Sequence, residues 1–104
     1  MPNNIQTITF QYQLHNDLQS VPSHWHVLID SAQQITEQAY APYSRFKVGA
    51  AVLLDNGVIV TGNNQENMAF PSGLCAERVA IFYAGAQYPN HTIKAIAIAV
   101  NPEN

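Results

Sequence analysis

The chain has 104 residues, of which 47% are hydrophobic and 11% are charged, and its formal net charge is −3. This length allows one domain with a small core, and the low charge content favours a surface partly covered by further subunits, although a surface rich in Asn and Gln is the alternative. Four basic residues provide no basic patch for nucleic acid, no apolar run is long enough to span a membrane, and a single cysteine excludes an internal disulfide.

The N-terminal part of the chain predicts one strand. Residues 1–4 show neither a charged n-region nor the start of an apolar one, so we expect no signal peptide and a cytoplasmic location. Residues 7–14 alternate between apolar and polar side chains, with Ile8, Phe10, Tyr12 and Leu14 on one face. A period of two is typical of a half-buried strand.

Residues 23–40 predict an amphipathic helix. Pro22 stands just before this segment, where a helix start tolerates proline, and Pro42 ends it, because the residue before a proline avoids helical dihedral angles. Apolar side chains recur at helical spacing and form one stripe: Trp25, Leu28, Ile29, Ala32, Ile35 and Ala39.

A β-hairpin is predicted next in the chain. Residues 46–54 and 58–62 are two apolar runs separated by Asp-Asn-Gly, which is a strong hairpin signal. The first run is too apolar to face water on either side, so we expect a central strand that is covered on both faces.

A loop, a second helix and a last strand are predicted over residues 63–74, 75–87 and 93–100. The apolar density of the last strand again favours burial on both faces. A helix between two apolar strands predicts a parallel crossover. The chain is therefore assigned to the α/β class, as a layered fold with a mixed sheet.

Two residues of the predicted second helix suggest chemistry. Cys75 stands at the helix N-terminus, where unpaired N–H groups favour the thiolate, although a buried and inert cysteine is the alternative. Glu77 is a helix-start residue that complements the dipole, or a base that acts on a metal-bound water beside the thiolate.

The polar loop after the hairpin is a second candidate region. Asn64 and Glu66 follow the end of a strand, where ligand sites of α/β folds gather, or they belong to an ordinary polar loop. Phe46 opens the central strand, and its default interpretation is a core aromatic. The histidines of the chain show no spacing typical of metal ligands.

Three blocks of the sequence carry a more specific signal. They are residues 43–51 (Tyr-Ser-Arg-Phe-Lys-Val-Gly-Ala-Ala), 62–67 (Gly-Asn-Asn-Gln-Glu-Asn) and 71–78 (Pro-Ser-Gly-Leu-Cys-Ala-Glu-Arg). In this order and spacing they resemble the homotetrameric cytidine deaminases. The resemblance extends over about residues 23–100 and implies one domain over residues 1–104, with an N-terminal extension at 1–20 and a three-layer α/β/α fold.

The resemblance implies hydrolysis of cytidine and deoxycytidine to uridine, deoxyuridine and ammonia, a step of pyrimidine salvage in which zinc supplies the activated water. It implies that Cys75 is a zinc ligand, that Glu77 shuttles protons, and that Arg78 offsets thiolate charge beside the metal. Related deaminases of nucleotides and nucleic acids present a histidine in place of Cys75, so the free-nucleoside branch is expected.

The resemblance also implies substrate contacts and partners. The pyrimidine ring is expected to pack on Phe46, the ribose hydroxyls to bind Asn64 and Glu66, and the exocyclic amine region to meet a backbone group of Ala76. The implied partners are a small pyrimidine nucleoside and further copies of the chain in a dimer or tetramer, without nucleic acid or membrane.

One part of the family pattern is absent from the sequence. The second motif of the family, Pro-Cys-x-x-Cys, supplies two more thiolates, whereas Cys75 is the single cysteine here. A catalytic zinc site normally has three protein ligands and one water. We therefore expect a chain truncated after the third core strand, with zinc absent or incompletely held. The alternative to an enzyme is a non-catalytic fragment or homologue that retains the fold and the oligomer. The retention of both Cys75 and Glu77 argues against a homologue that lost catalysis long ago.

Overall fold

A computed structural model describes residues 5–66 and 75–102. Within these residues the chain forms two α-helices and three strands, and no helix has the length and apolar character needed to cross a membrane. In chain order the elements are α1 (His26–Ile35), β1 (Phe46–Leu54), β2 (Ile59–Asn63), α2 (Ala76–Gln87) and β3 (Ile93–Pro102). Short 3₁₀ turns at Ser23–Trp25 and Thr36–Gln38 extend α1 at both ends, which confirms the helix predicted over residues 23–40 apart from its last two positions.

The three strands form one sheet in the order β2-β1-β3, so β1 is central as predicted. Both pairings are antiparallel, whereas the sequence predicted a mixed sheet. The strands β2 and β3 run in the same direction, as predicted, but they do not pair with each other because β1 lies between them. The hairpin turn depends on Gly57, whose φ of 86° lies in the left-handed region that glycine adopts without strain.

The two helices cover opposite faces of β1, and this confirms the layered α/β class. Small residues of α2 pack on one face, in a buried cluster of Ala50, Val52, Leu54, Val60, Ala76, Ala80 and Ala84. On the other face, α1 forms a second buried cluster of Leu28 and Ala32 with Ala51. A Cβ atom added to Gly49 would overlap the carbonyl oxygen of Ala32, so α1 lies unusually close to the sheet.

The prediction that β3 is buried on both faces is correct for one face and wrong for the other. Its alanines face α1, and Ala95, Ala97 and Ala99 pack against the cluster around Leu28. The side chains of the opposite face are exposed, at 44% for Ile96, 56% for Ile98 and 49% for Val100. The reason is the position of α2, which packs on β1 and β2, while β3 lies at the edge of the described sheet.

The strand predicted at residues 7–14 is wrong. The backbone there forms no strand, and Ile8, Phe10 and Leu14 are 91%, 79% and 84% exposed. An alternating pattern of side chains is not sufficient for a strand, because the backbone N–H and C=O groups of the segment also need a neighbouring strand to pair with. No strand among the described residues pairs with this segment.

A carboxylate ties the hairpin turn to the start of β3. The Nδ1 atom of His91 lies 2.7 Å from one oxygen of Asp55, the hydroxyl of Thr92 donates to the other at 3.1 Å, and the Asp55 N–H donates to the Thr92 carbonyl at 2.9 Å. The hydrogen bond with His91, followed by a hydrogen bond from the backbone of Thr92 to the carboxylate, holds the pKa of Asp55 below its ordinary value of 3.8.

This contact predicts an acid-sensitive contribution to stability. Because folding lowers the pKa of Asp55, its ionised form stabilises the fold above the unfolded pKa of 3.8, and the contribution disappears as the pH falls through the folded value. We expect Asp55→Asn to flatten the loss of stability on acidification, and Asp30→Asn, on the exposed side of α1, to leave it unchanged. Urea midpoints measured from neutral pH downward check this, and parallel acid profiles for Asp55→Asn and the native chain would contradict it.

Candidate functional site

The residues predicted for the site meet at one end of the sheet. Phe46 begins β1 and is paired with Pro102 at the end of β3, while Gly49 is paired with Asn63 at the end of β2. The first turn of α2 reaches the same end, because a Cβ atom at Gly62 would come within 2.8 Å of the Ala76 carbonyl oxygen. The topology therefore brings together the start of β1, the segment after β2 and the N-terminus of α2.

The loop between α1 and β1 is attached to the segment after β2. Tyr40 forms an isolated bridge there: its N–H donates to the Asn64 carbonyl at 3.0 Å, and its carbonyl accepts the Glu66 N–H at 2.8 Å. The loop then turns sharply at Arg45, which has a φ of 58° although it is not glycine, and whose N–H donates to the Ala41 carbonyl at 3.0 Å. This turn sets the direction in which β1 starts.

The side chain of Asn64 continues the ladder of β1. It is 9% exposed; its amide oxygen accepts the Val48 N–H at 2.9 Å, and its amide nitrogen donates to the Phe46 carbonyl at 2.9 Å. The amide thus satisfies two backbone groups at the start of the strand. One further N–H and one further lone pair of the amide remain for a ligand. Phe46 itself is 46% exposed, so its default interpretation as a core aromatic is wrong.

The carboxylate of Glu66 holds the turn that precedes Phe46. One oxygen accepts the N–H groups of Tyr43 and Ser44 at 3.1 and 3.0 Å, and the other oxygen accepts the Ser44 hydroxyl. The hydroxyl hydrogen bond, followed by the backbone hydrogen bond from Ser44, keeps the pKa of Glu66 below its ordinary value of 4.5. Glu66 is therefore ionised at neutral pH and can only accept hydrogen bonds.

Cys75 occupies the N-cap position of α2. Its backbone is extended, with φ −78° and ψ 147°, its carbonyl accepts the Val79 N–H at 3.0 Å, and its side chain makes no capping hydrogen bond. The thiol is exposed, so the alternative of a buried and inert cysteine is wrong. The first N–H groups of a helix have no intrahelical partner and carry a partial positive charge, so this end of α2 suits an anionic ligand.

The neighbours of Cys75 divide between the interior and the surface. Ala76 is 1% exposed and packs against β2, and Glu77 lies half-buried in the first turn of α2. Arg78 is exposed, and its guanidinium carbon lies 6.0 Å from the centre of the Phe82 ring, one turn further along. The roles expected for these three residues stay predictions.

Cys75 and Glu77 fit part of a zinc site. Thiolate sulfur is a preferred zinc ligand, and a carboxylate in the same turn is suited to proton transfer. Across residues 5–66 and 75–102, no three side chains of His, Cys, Asp or Glu come together in a way that would hold a metal. The described residues therefore supply one cysteine sulfur and one carboxylate, and the complete ligand set is not among them.

Sequence reasoning missed Ser44 as a site residue. Its hydroxyl lies between Glu66 and the backbone of Phe46, which donates to it at 3.1 Å. A local signal existed, because serine is frequent where a side chain must bond the backbone of a turn. The partner carboxylate lies 22 positions away and cannot be identified from such a local pattern.

Comparisons with known proteins agree on one family. Residues 23–103 match the family described as "Cytidine and deoxycytidylate deaminase zinc-binding region". A cytidine deaminase of Halalkalibacterium halodurans is 46% identical over 74 residues, which are 71% of this chain and 54% of that protein. One of Sporosarcina psychrophila is 43% identical over 76 residues, or 73% and 55% of the two chains. The chain thus spans about half the length of the curated relatives it matches.

Solved structures give the same picture. The cytidine deaminase of Mycobacterium tuberculosis superimposes with a TM-score of 0.70 at 38% identity, covering 76% of this chain and 63% of the other. That of Burkholderia pseudomallei gives a TM-score of 0.68 at 42% identity, again covering 76% and 63%.

Proposed function

Because the chain belongs to the cytidine and deoxycytidylate deaminase family, we propose that it serves in the hydrolysis of cytidine and deoxycytidine to uridine, deoxyuridine and ammonia. One observation carries the proposal. The exposed thiol of Cys75 and the carboxylate of Glu77 share the first turn of α2, at the same end of the sheet as Phe46, Asn64 and Glu66. The residues proposed for proton transfer and those proposed for binding the nucleoside therefore lie at the same end of the sheet, which supports the proposal.

The N-terminus of α2 is the chemical half of the proposed site. Cys75 would be one zinc ligand, bound through its exposed sulfur at the N-terminus of the helix. Zinc, when bound, lowers the pKa of a water molecule so that it can attack C4 of the pyrimidine near neutral pH. Glu77 would take one proton from the attacking water and deliver it to N3 of the ring. It would then take the second proton from the hydroxyl now on C4 and pass it to the amine, so that the C4 carbonyl forms, the C4–N bond breaks and ammonia leaves.

The other half of the proposed site binds the nucleoside. Phe46 offers a half-exposed ring on which the pyrimidine packs. Glu66 is an ionised acceptor, and its partner must be a donor such as a ribose hydroxyl. The amide of Asn64 can offer a donor and an acceptor to the same sugar. A backbone group of Ala76, in the first turn of α2, is the proposed contact for the amine region.

The charge of the site favours a nucleoside over a nucleotide. A phosphate group needs cationic partners, and the chain has four Lys and Arg residues against seven Asp and Glu residues. The ionised carboxylate of Glu66 would repel a phosphate carried by the sugar that it binds. The proposed substrate is therefore a free pyrimidine nucleoside, and the proposed role is pyrimidine salvage in the cytoplasm.

The proposal includes association with further copies of the chain. The outer face of β3 exposes Ile96, Ile98 and Val100, and α2 exposes Phe82 at 65%. Large apolar side chains grouped on one surface are typical of protein interfaces. A homodimer or homotetramer would cover them.

The test combines metal content with turnover. The purified chain is equilibrated with zinc, passed through gel filtration, analysed for zinc per chain, and assayed with cytidine by its ultraviolet absorbance. We expect cytidine turnover that depends on bound zinc and is lost in Cys75→Ala. A chain that binds cytidine without turning it over, whether or not it retains zinc, would contradict the proposal and favour the second candidate, a non-catalytic nucleoside-binding homologue. The absence of a complete metal-ligand set among the described residues is the observation in favour of that candidate.

A further inference from the structure

The hydroxyl of Ser44 links two parts of the candidate site. It donates to the Glu66 carboxylate and accepts the backbone N–H of Phe46 at 3.1 Å. The Ser44 N–H also donates to Glu66, at 3.0 Å. One exposed serine thus holds the carboxylate in one place and fixes the backbone from which the Phe46 ring projects.

The backbone at this point needs such support. Arg45, between Ser44 and Phe46 in the chain, has a φ of 58°, and a non-glycine residue in the left-handed region persists only when its surroundings hold it there. The N–H of Arg45 is bonded to Ala41, on the far side of the turn from Phe46. The contact that closes the turn on the side of the strand is the hydroxyl of Ser44 with the Phe46 N–H.

The same geometry limits what Glu66 can bind. A carboxylate accepts about four hydrogen bonds. Three positions are filled, by the N–H of Tyr43, the N–H of Ser44 and the hydroxyl of Ser44. No other group of the described residues fills the fourth position on Glu66, and this position suits a single hydroxyl of a sugar. Because its other hydrogen bonds fix the carboxylate, that remaining position points in one direction.

We infer that Ser44 is a positioning residue of the nucleoside site, and that its hydroxyl aligns the remaining acceptor position of Glu66 with the ring of Phe46. This inference rests on the proposed function, because Glu66 and Phe46 are the residues proposed to bind sugar and pyrimidine. Ser44 need not touch the nucleoside. Its effect is to make the two contacts form together, so its loss weakens substrate binding and leaves the chemistry at Glu77 in place.

The test compares Ser44→Ala with Ser44→Thr, which keeps the hydroxyl. Ser31→Ala is the matched control, because the Ser31 hydroxyl donates at 2.9 Å to the Val27 carbonyl within α1, away from the site. We expect Ser44→Ala to raise the KM for cytidine about tenfold with little change in kcat, as for the loss of one hydrogen bond to a charged group. Ser44→Thr should restore the KM, and Ser31→Ala should leave it unchanged.

A second readout does not depend on turnover. Titration of the Glu66 carboxyl carbon by NMR should show its pKa closer to 4.5 in Ser44→Ala than in the native chain, and low again in Ser44→Thr. An unchanged KM or an unchanged Glu66 titration in Ser44→Ala would overturn the inference, and so would a failure of Ser44→Thr to restore them. If the native chain neither binds nor converts cytidine, the proposed function fails, and the Glu66 titration still decides whether Ser44 controls this carboxylate.

Discussion

Gly49→Ala is expected to destabilise the chain by about 3 kcal/mol or more, a large share of the roughly 5–15 kcal/mol that stabilises a typical domain. The added methyl group would overlap the Ala32 carbonyl and come within 2.7 Å of a methyl carbon of Ile35. Backbone cannot yield as a flexible side chain does, so α1 must move away from the sheet. That movement would open the buried contact between Ala32 and Ala51. Urea denaturation followed by far-ultraviolet circular dichroism measures the loss.

Gly85→Ala provides the matched control for this prediction. Gly85 lies within α2, and an added Cβ atom there meets nothing within 4 Å. Alanine has the higher helix propensity, so the same change should stabilise the chain by about 0.5–1 kcal/mol. Equal effects of the two substitutions would contradict the close packing of α1 on β1.

Glu77→Gln is expected to reduce kcat for cytidine by a factor of about 10²–10⁴, the range attributed to a positioned general acid or base. Glutamine keeps the shape of the side chain in the first turn of α2 but cannot carry a proton between water, ring and amine. Because the proposed nucleoside contacts lie elsewhere, on Phe46, Asn64 and Glu66, the Kd for cytidine should change little. Steady-state kinetics and equilibrium binding on the same preparation separate the two effects.

The control for this second prediction is Glu37→Gln. Glu37 is an exposed carboxylate in the 3₁₀ turn after α1, and its substitution changes the net charge of the chain by the same amount. It should leave kcat and Kd unchanged. A Glu77→Gln variant that retains native turnover would show that another group moves the protons.

The sequence predicted those elements whose signals are local. The hairpin follows from its Asp-Asn-Gly turn, β1 from its continuous apolar run, and the first helix from its apolar spacing. All three form within about two residues of their predicted bounds when the 3₁₀ turns that flank α1 are counted with it. The prediction of a strand at residues 7–14 was wrong because alternation indicates only that one face is apolar and does not indicate which strand, if any, would pair with the segment. The outer face of β3 failed for the same reason, since the position of α2 over β1 and β2 is a property of the whole sheet.

The candidate site was predictable in its residues but not in its contacts. The family resemblance named Asn64 and Glu66 as ligand-binding residues, whereas the structure also gives each of them backbone groups to hold. The sequence does not indicate which backbone N–H groups will donate to an amide or a carboxylate in a loop after folding. Ser44 was missed for the same reason, because its hydroxyl bonds to Glu66 and to the Phe46 N–H only in the folded chain.

The hydrogen bonds that shape the nucleoside half of the site have a consequence for the order of folding. Those from Asn64 and Glu66 to the start of β1 join residues 16 to 23 positions apart, close to the span of the hairpin itself. The pairing of β1 with β3 joins more distant residues, such as Phe46 with Pro102, and must enclose α2. Short loops close at lower entropic cost and therefore sooner. During synthesis the nucleoside half is thus expected to take shape with the hairpin, before β3 has docked on the sheet.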